Sequence, residues 1–179
     1  MCIRDSGHGT TVATNALITH RGAKVGLLTT EGFRDLLEIG RQKRPDLYDL
    51  FAEKPQTLVP RALRFELPER MLRTGEIDTP LDEDAVRKAA RAMKEAGVEA
   101  VAICFLYAFV NPVHEQAARR IVEEEMPGVF LCASHEIAPE FREFERLSTA
   151  TVNAYLGPIM HRYISRLTPR LQELGLPVA

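Results

Sequence analysis

The segment from Asp82 to Ala133 limits the fold more than any other part of the chain. Its centre, Val98 to Leu106, is apolar at every position but Glu99, as expected of a strand covered on both faces. Before it, Asp82, Glu83 and Asp84 put negative charge where it complements a helix N-terminus. Val86, Ala89, Ala90 and Met93 then line one helical face, and Gly97 ends the helix. After the strand, Asn111 caps a helix with Pro112 at its first position, running to about Met126. Val129 to Ala133 reads as the next strand. Helix, buried strand, helix, strand argues for an α/β layer with parallel pairing and right-handed crossovers.

The flanks are less regular. Val12, Ala13, Ala16, Leu17 and His20 recur at helical spacing after a Gly-His-Gly-Thr-Thr turn, with Gly22 suited to a left-handed stop. Lys24 to Thr30 is a short strand, and Thr30 is expected to cap a brief helix from Glu31 to Ile39 that Gly40 ends. Arg41 to Thr79 is rich in Pro and Arg and reads as a long functional loop. It carries a small hairpin of Leu63 to Leu67 and Glu69 to Arg73, followed by the turn Thr74-Gly75-Glu76. Phe141, Phe144, Leu147, Thr151, Val152 and Tyr155 make an apolar helical stripe. Gly157-Pro158 is expected to break or kink it before a second helix from Ile159 to Leu174.

With 179 residues the chain can bury one core, or one domain plus a subdomain. A formal net charge of -2 gives no electrostatic case for nucleic acid. No apolar run approaches the roughly 20 residues that span a bilayer, so no membrane partner is expected. Cys2, Cys104 and Cys132 form neither a CxxC pair nor a disulfide framework, which suggests a reduced, cytoplasmic protein. Cys104 and Cys132 fall in apolar runs and read as small core residues.

Three clusters could carry chemistry. In Gly7-His8-Gly9-Thr10-Thr11, two glycines allow close backbone approach, and N–H groups and hydroxyls at a helix start could hold a phosphate or carboxylate. The same residues would serve equally as a tight turn and cap, and no Gly-Lys-Ser/Thr follows to make a P-loop. Arg41, Lys43 and Arg44 with Asp46 could grip an anionic substrate or form a solvated basic loop. Glu145, Arg146, Ser148, Thr149, Thr151 and Asn153 could face a polar cleft or bond back to their own helix. His114-Glu115 and His135-Glu136 lack a second histidine four residues on, so a zinc-protease helix is excluded.

The run from His8 to Leu17, His-Gly-Thr-Thr-Val-Ala-Thr-Asn-Ala-Leu, resembles the signature of the hydantoinase A/5-oxoprolinase family. Thr29 to Asp35, Glu38 to Gln42, Arg44 to Leu50, Pro68 to Arg70, Gly97 to Ala102, Asn111-Pro112, Glu145-Arg146 and Thr151 to Tyr155 follow at family-like spacing. The resemblance covers Gly7 to about Leu174 and implies the N-terminal region of a longer polypeptide. Its fold class would be α/β, a partial actin/hexokinase-like (ribonuclease H-like) layer with parallel strands, a small inserted hairpin and a helical C-terminal third. Residues 1–6 resemble a non-native leader, leaving 7–179 as a region truncated at both ends.

The resemblance further implies an ATP- and divalent-cation-dependent enzyme that activates an amide or ketone carbonyl, with a hydantoinase B-type subunit or domain as partner. Phosphorylating the carbonyl or enol oxygen would turn a poor electrophile or leaving group into a good one. Hydrolysis of a cyclic amide (hydantoin or 5-oxoproline) is the first expectation, and a ketone carboxylase subunit or a non-catalytic docking region are the alternatives. An actin-like sugar kinase is a third. The family's phosphate loop, which precedes the His-Gly-Thr-Thr motif, is absent, so this segment alone is expected neither to bind ATP tightly nor to turn over. Gly9, Thr10, Thr11 and Asn15 are the expected phosphate-side residues, and Arg41, Arg44, Asp46, Glu145 and Arg146 the expected substrate-side ones. No catalytic role and no protein metal ligand is assigned.

Overall fold

The structure is a computed structural model, and it describes residues 10–43, 46, 48–49, 51–52 and 54–175. In chain order the elements are α1 (Val12–Ile18), β1 (Val25–Thr30), α2 (Leu36–Ile39), a helical turn at Arg61–Leu63, β2 (Arg64–Leu67), β3 (Arg70–Met71) and β4 (Ile77–Thr79). There follow α3 (Glu83–Glu95), β5 (Ala100–Cys104), α4 (Val113–Glu125), β6 (Phe130–Ala133), α5 (Ser134–Ile137) and α6 (Glu143–Glu173).

Four strands form one parallel sheet in the order β2-β1-β5-β6, with Leu27 opposite Arg64 and Ala102, and Ala102 opposite Cys132. The two central strands, β1 and β5, are buried at every position; β5 is accordingly a continuous apolar run, whereas β1 ends in two buried threonines, Thr29 and Thr30. One face is covered by α3 and α4 through Val86, Ala90, Met93, Ala118, Ile121 and Val122. The other is covered by α6 through Leu147, Ala150 and Ala154. The mixed α/β class, the parallel sheet and the helical C-terminal third agree with the sequence reading.

The helix from Asp82 and the strands around Ile103 and Cys132 form as expected. Asp82 accepts from the Ala85 N–H at 3.0 Å, and Gly97 takes a φ of 68°, the left-handed stop that only glycine adopts without strain. Pro112 stands one position earlier than expected, at the cap of α4, while the Asn111 side chain accepts from Val113 N–H at 3.2 Å.

Five local expectations are corrected. Leu63 to Leu67 does not belong to a hairpin; β2 joins the main sheet beside β1, and the hairpin is β3 with β4 around Thr74-Gly75-Glu76. Thr30 caps no helix, because its hydroxyl is taken by Glu69, and the helix before Gly40 is only one turn long. Gly22 is not the stop of α1, since His20 takes the positive φ. Gly22 lies instead against Tyr155, where a Cβ would come within 2.0 Å of the ring. Phe141 leaves the apolar stripe and is exposed. Finally, α6 runs unbroken for 31 residues with Pro158 and Pro169 inside it. Packing outweighs the lost backbone bond there: Phe130 sits on Gly157, and Ala23 N–H donates to Tyr155 O at 2.9 Å, three residues before the proline.

Candidate functional site

The first half of α6 forms one wall of a cleft of about 820 Å³, and α2 with the chain after it forms the other. The turn at Gly40 creates this opening. Its φ of 56° and ψ of -137° exclude residues with a Cβ, and the ring of Phe144 lies 3.6 Å from where that Cβ would be. Arg41 leaves the turn toward α6 and donates through Nε to Glu145 at 2.8 Å. The carboxyl of Glu145 is held below its ordinary range, first by its own backbone N–H and then by Arg41. Lys54 Nζ donates to the carbonyls of Glu38 and Ile39 at 3.1 and 3.4 Å, placing a cation at the C-terminal end of α2.

Arg64, which was not expected at the site, holds the outer wall. It is buried at the start of β2 and donates to Val59 O at 3.0 Å, Thr57 Oγ1 at 2.8 Å and Glu38 Oε2 at 2.9 Å. Thus one guanidinium ties α2 and the returning Thr57–Val59 chain to the sheet. Nearby, Arg61 bonded to Asp35 at 2.8 Å keeps that carboxyl below its usual range.

On the other flank of α6, a second cleft of about 510 Å³ is lined by Ala13 of α1 and shares Ser148 and Val152 with the first. The α1 end and the Arg41 turn therefore border the same stretch of α6. Thr10, Thr11 and Asn15 are exposed at the start of α1. Thr10 Oγ1 accepts from Val12 N–H at 3.2 Å, and Asn15 Nδ2 donates to Thr11 Oγ1 at 3.3 Å. Gly9 and Arg44 lie outside the described residues. Asp46 accepts from the N–H of Tyr48 at 2.9 Å and turns its own loop.

Arg146 does not share the cleft with Arg41. It is buried, donates to Phe105 O and to Glu140 O, and stacks over Phe109 with 5.2 Å to the ring centroid. It thereby joins a buried polar network at the carboxyl ends of the strands. Thr30 donates to Glu69 and accepts from Leu106 N–H at 3.0 Å, while His114 Nδ1 donates to Glu69 at 2.8 Å. Alongside, Glu115 accepts from Phe105 N–H at 2.9 Å, Ser134 Oγ at 2.6 Å and both the backbone and ring of His135. Glu115 also raises the pKa of His135. Both histidines are thus held by buried glutamates. One signal for this was available: Glu115 stands in phase with Ala118 and Val122 on the buried stripe of α4.

A triphosphate with a divalent cation needs several convergent donors and at least two or three hard oxygen ligands. Among the described residues no group of three or more His, Cys, Asp or Glu could hold a metal ion. Thr10 and Thr11 already accept bonds within their own helix, leaving each an O–H donor beside Asn15. Also among the described residues, no helix is long and apolar enough to cross a membrane.

Comparison with known proteins agrees with this architecture. The caprolactamase subunit alpha of Pseudomonas jessenii is 46% identical over 170 residues, covering 94% of this chain and 24% of that protein. The acetophenone carboxylase gamma subunit of Aromatoleum aromaticum is 34% identical over 181 residues, covering 94% of this chain and 25% of that one. The crystal structure of the ATP-dependent caprolactamase from Pseudomonas jessenii superposes with a TM-score of 0.90 at 45% identity, over 96% of this chain and 25% of that one. The chain therefore spans about a quarter of the length of these relatives. Residues 2–126 match the hydantoinase/oxoprolinase N-terminal region, and the chain belongs to that family.

Proposed function

We propose that this chain is the N-terminal region of an ATP-dependent enzyme that hydrolyses a cyclic amide, a lactam, hydantoin or 5-oxoproline. The observation that carries this reading is the TM-score of 0.90 with an ATP-dependent caprolactamase over nearly the whole chain. The identity of 46% to a caprolactamase subunit against 34% to a ketone carboxylase subunit favours hydrolysis over carboxylation. In this reading Gly9, Thr10, Thr11 and Asn15 border the phosphates, which with a divalent cation are held mainly by other parts of the enzyme. Arg41 and Glu145 gate the substrate cleft, Arg44 and Asp46 are assigned to substrate anchoring, and Arg146 braces the strand ends behind. A hydantoinase B-type subunit is the expected partner.

The test uses the full-length chain with its partner subunit. ATP hydrolysis should depend on an added cyclic amide and not on acetophenone with bicarbonate. Thr10→Ala and Arg41→Ala should each lower turnover at least tenfold. Stimulation by the ketone alone would favour the carboxylase instead.

A second reading concerns docking. Tyr48 and Phe51 are 92% and 91% exposed on the loop after Arg41, and two bare aromatic rings are common anchors of protein interfaces. Replacing both with Ser should weaken association with the partner subunit while leaving the melting temperature unchanged. Unaltered association would remove this loop from the interface.

A further inference from the structure

We propose that the cleft between α2 and the first half of α6 is the pocket for the cyclic amide ring, with Thr151 and Ser148 as its hydrogen-bonding floor. This rests on the cyclic-amide reading given above and extends it to residues that reading does not use.

The decisive observation is the hydroxyl of Thr151. This residue lines the cleft and is only 1% exposed, yet its Oγ1 has no hydrogen-bond partner among the described residues. A threonine inside a helix normally satisfies its hydroxyl by bonding back to the carbonyl four residues earlier. Thr149, two positions away, does so with Glu145 O at 2.8 Å. Thr151 does not. A buried hydroxyl left unpaired costs about 1–3 kcal/mol, and a turn of χ1 that brings Oγ1 to the cleft wall would let a bound ring supply the missing partner.

The lining selects the chemistry of that partner. Ser148 also lines the cleft and stands three residues before Thr151, on the same helical face. Each hydroxyl can donate or accept. A cyclic amide is locked cis and presents a carbonyl acceptor and an N–H donor on one edge, so two hydroxyls one turn apart can serve both. A ketone offers only the acceptor. Leu37, Leu58 and Phe144 supply apolar walls for ring methylenes, and the cleft volume falls in the range of small-molecule pockets. Gly40 keeps the facing wall without a side chain.

The full-length enzyme with its partner subunit is assayed with caprolactam and 5-oxoproline. Thr151→Val keeps the shape and deletes the hydroxyl; Ser148→Trp fills the cleft. If the pocket holds the ring, Thr151→Val raises KM at least fivefold while the melting temperature stays level or rises, because an unpaired polar group has gone. Ser148→Trp then raises KM further or abolishes turnover in a protein that still melts cooperatively. Unchanged KM in Thr151→Val, with a wild type that cyclic amides do stimulate, overturns the pocket alone. A wild type whose ATP turnover no cyclic amide stimulates overturns the functional reading and the pocket with it.

Discussion

The Glu115 carboxylate, wholly buried at the first turn of α4, accepts the ring Nδ1–H of His135 at 2.6 Å and so locks α5 to the end of β5. The same carboxylate accepts from Phe105 N–H and Ser134 Oγ, so it stitches together segments that follow two adjacent strands. Glu115→Ala would strand several buried donors at once. The expected loss is about 3–5 kcal/mol of folding stability, the usual result of removing one partner from a buried polar cluster. Urea denaturation should show a lower midpoint with an unchanged slope, and a loss below about 1 kcal/mol would contradict the packing described.

The His135 pKa lies above its ordinary 6.5 because Glu115 accepts its ring N–H. A raised folded-state value means the contribution is complete below 6.5 and is lost as pH climbs through the folded-state pKa. Stability should therefore decline as pH rises above 6.5, and His135→Gln should flatten that decline. Melting temperatures across about pH 6 to 9 decide it, and equal slopes in both proteins would refute the linkage.

Gly22 has no room for a side chain. An added Cβ would meet the buried Tyr155 ring at 2.0 Å, so Gly22→Ala should destabilise by about 1–3 kcal/mol through overpacking. Truncating the ring in the double variant Gly22→Ala/Tyr155→Ala should make the two losses less than additive. Full additivity in thermal or urea unfolding would place the two residues apart.

Burial pushes the thiols of Cys104 and Cys132 up to about 11. At pH near 8 their thiolate fraction is about a hundredfold below that of an ordinary cysteine, and burial adds to the protection. Both should resist alkylation in the folded protein and react once denaturant is added. Mass mapping of the labelled peptides tests this, and rapid labelling of either in the folded state would contradict the core assignment.

The parts of the fold that were legible in the sequence are those set by local rules. The helix of Glu83–Glu95 announced itself through its acidic start, its stripe of Val86, Ala90 and Met93 and its Gly97 stop. The strand at Ala100–Cys104 did so through an apolar run that only two-sided cover explains. What stayed hidden depends on partners remote in sequence. Arg64 to Leu67 has the same residues whether it pairs in a hairpin or beside β1, and only the parallel register with Leu27 to Thr30 decides between them. The break expected at Gly157-Pro158 follows from helix propensity, but contacts of Phe130 and Ala23 outweigh it.

The candidate site divides in the same way. Arg41 and Glu145 were singled out separately, and the structure joins them across 104 positions. Arg64 and Glu69 could not be recognised, because a charged residue at a strand edge or in a loop is ordinarily solvated. Their burial is tolerable because Glu38, Thr57 and the Val59 carbonyl meet the first and Thr30 and His114 the second.

The unbroken α6 has a mechanical consequence. Its 31 residues reach about 46 Å at the usual helical rise, yet its buried residues lie between Arg146 and Tyr155. Beyond Gly157 the rod overhangs the sheet, with Ile164 in the open. A force applied to the overhang acts on the stiff body that carries Glu145, Ser148 and Thr151. A neighbour gripping the overhang would load the wall that carries those three residues, as a hand on a tiller loads the blade.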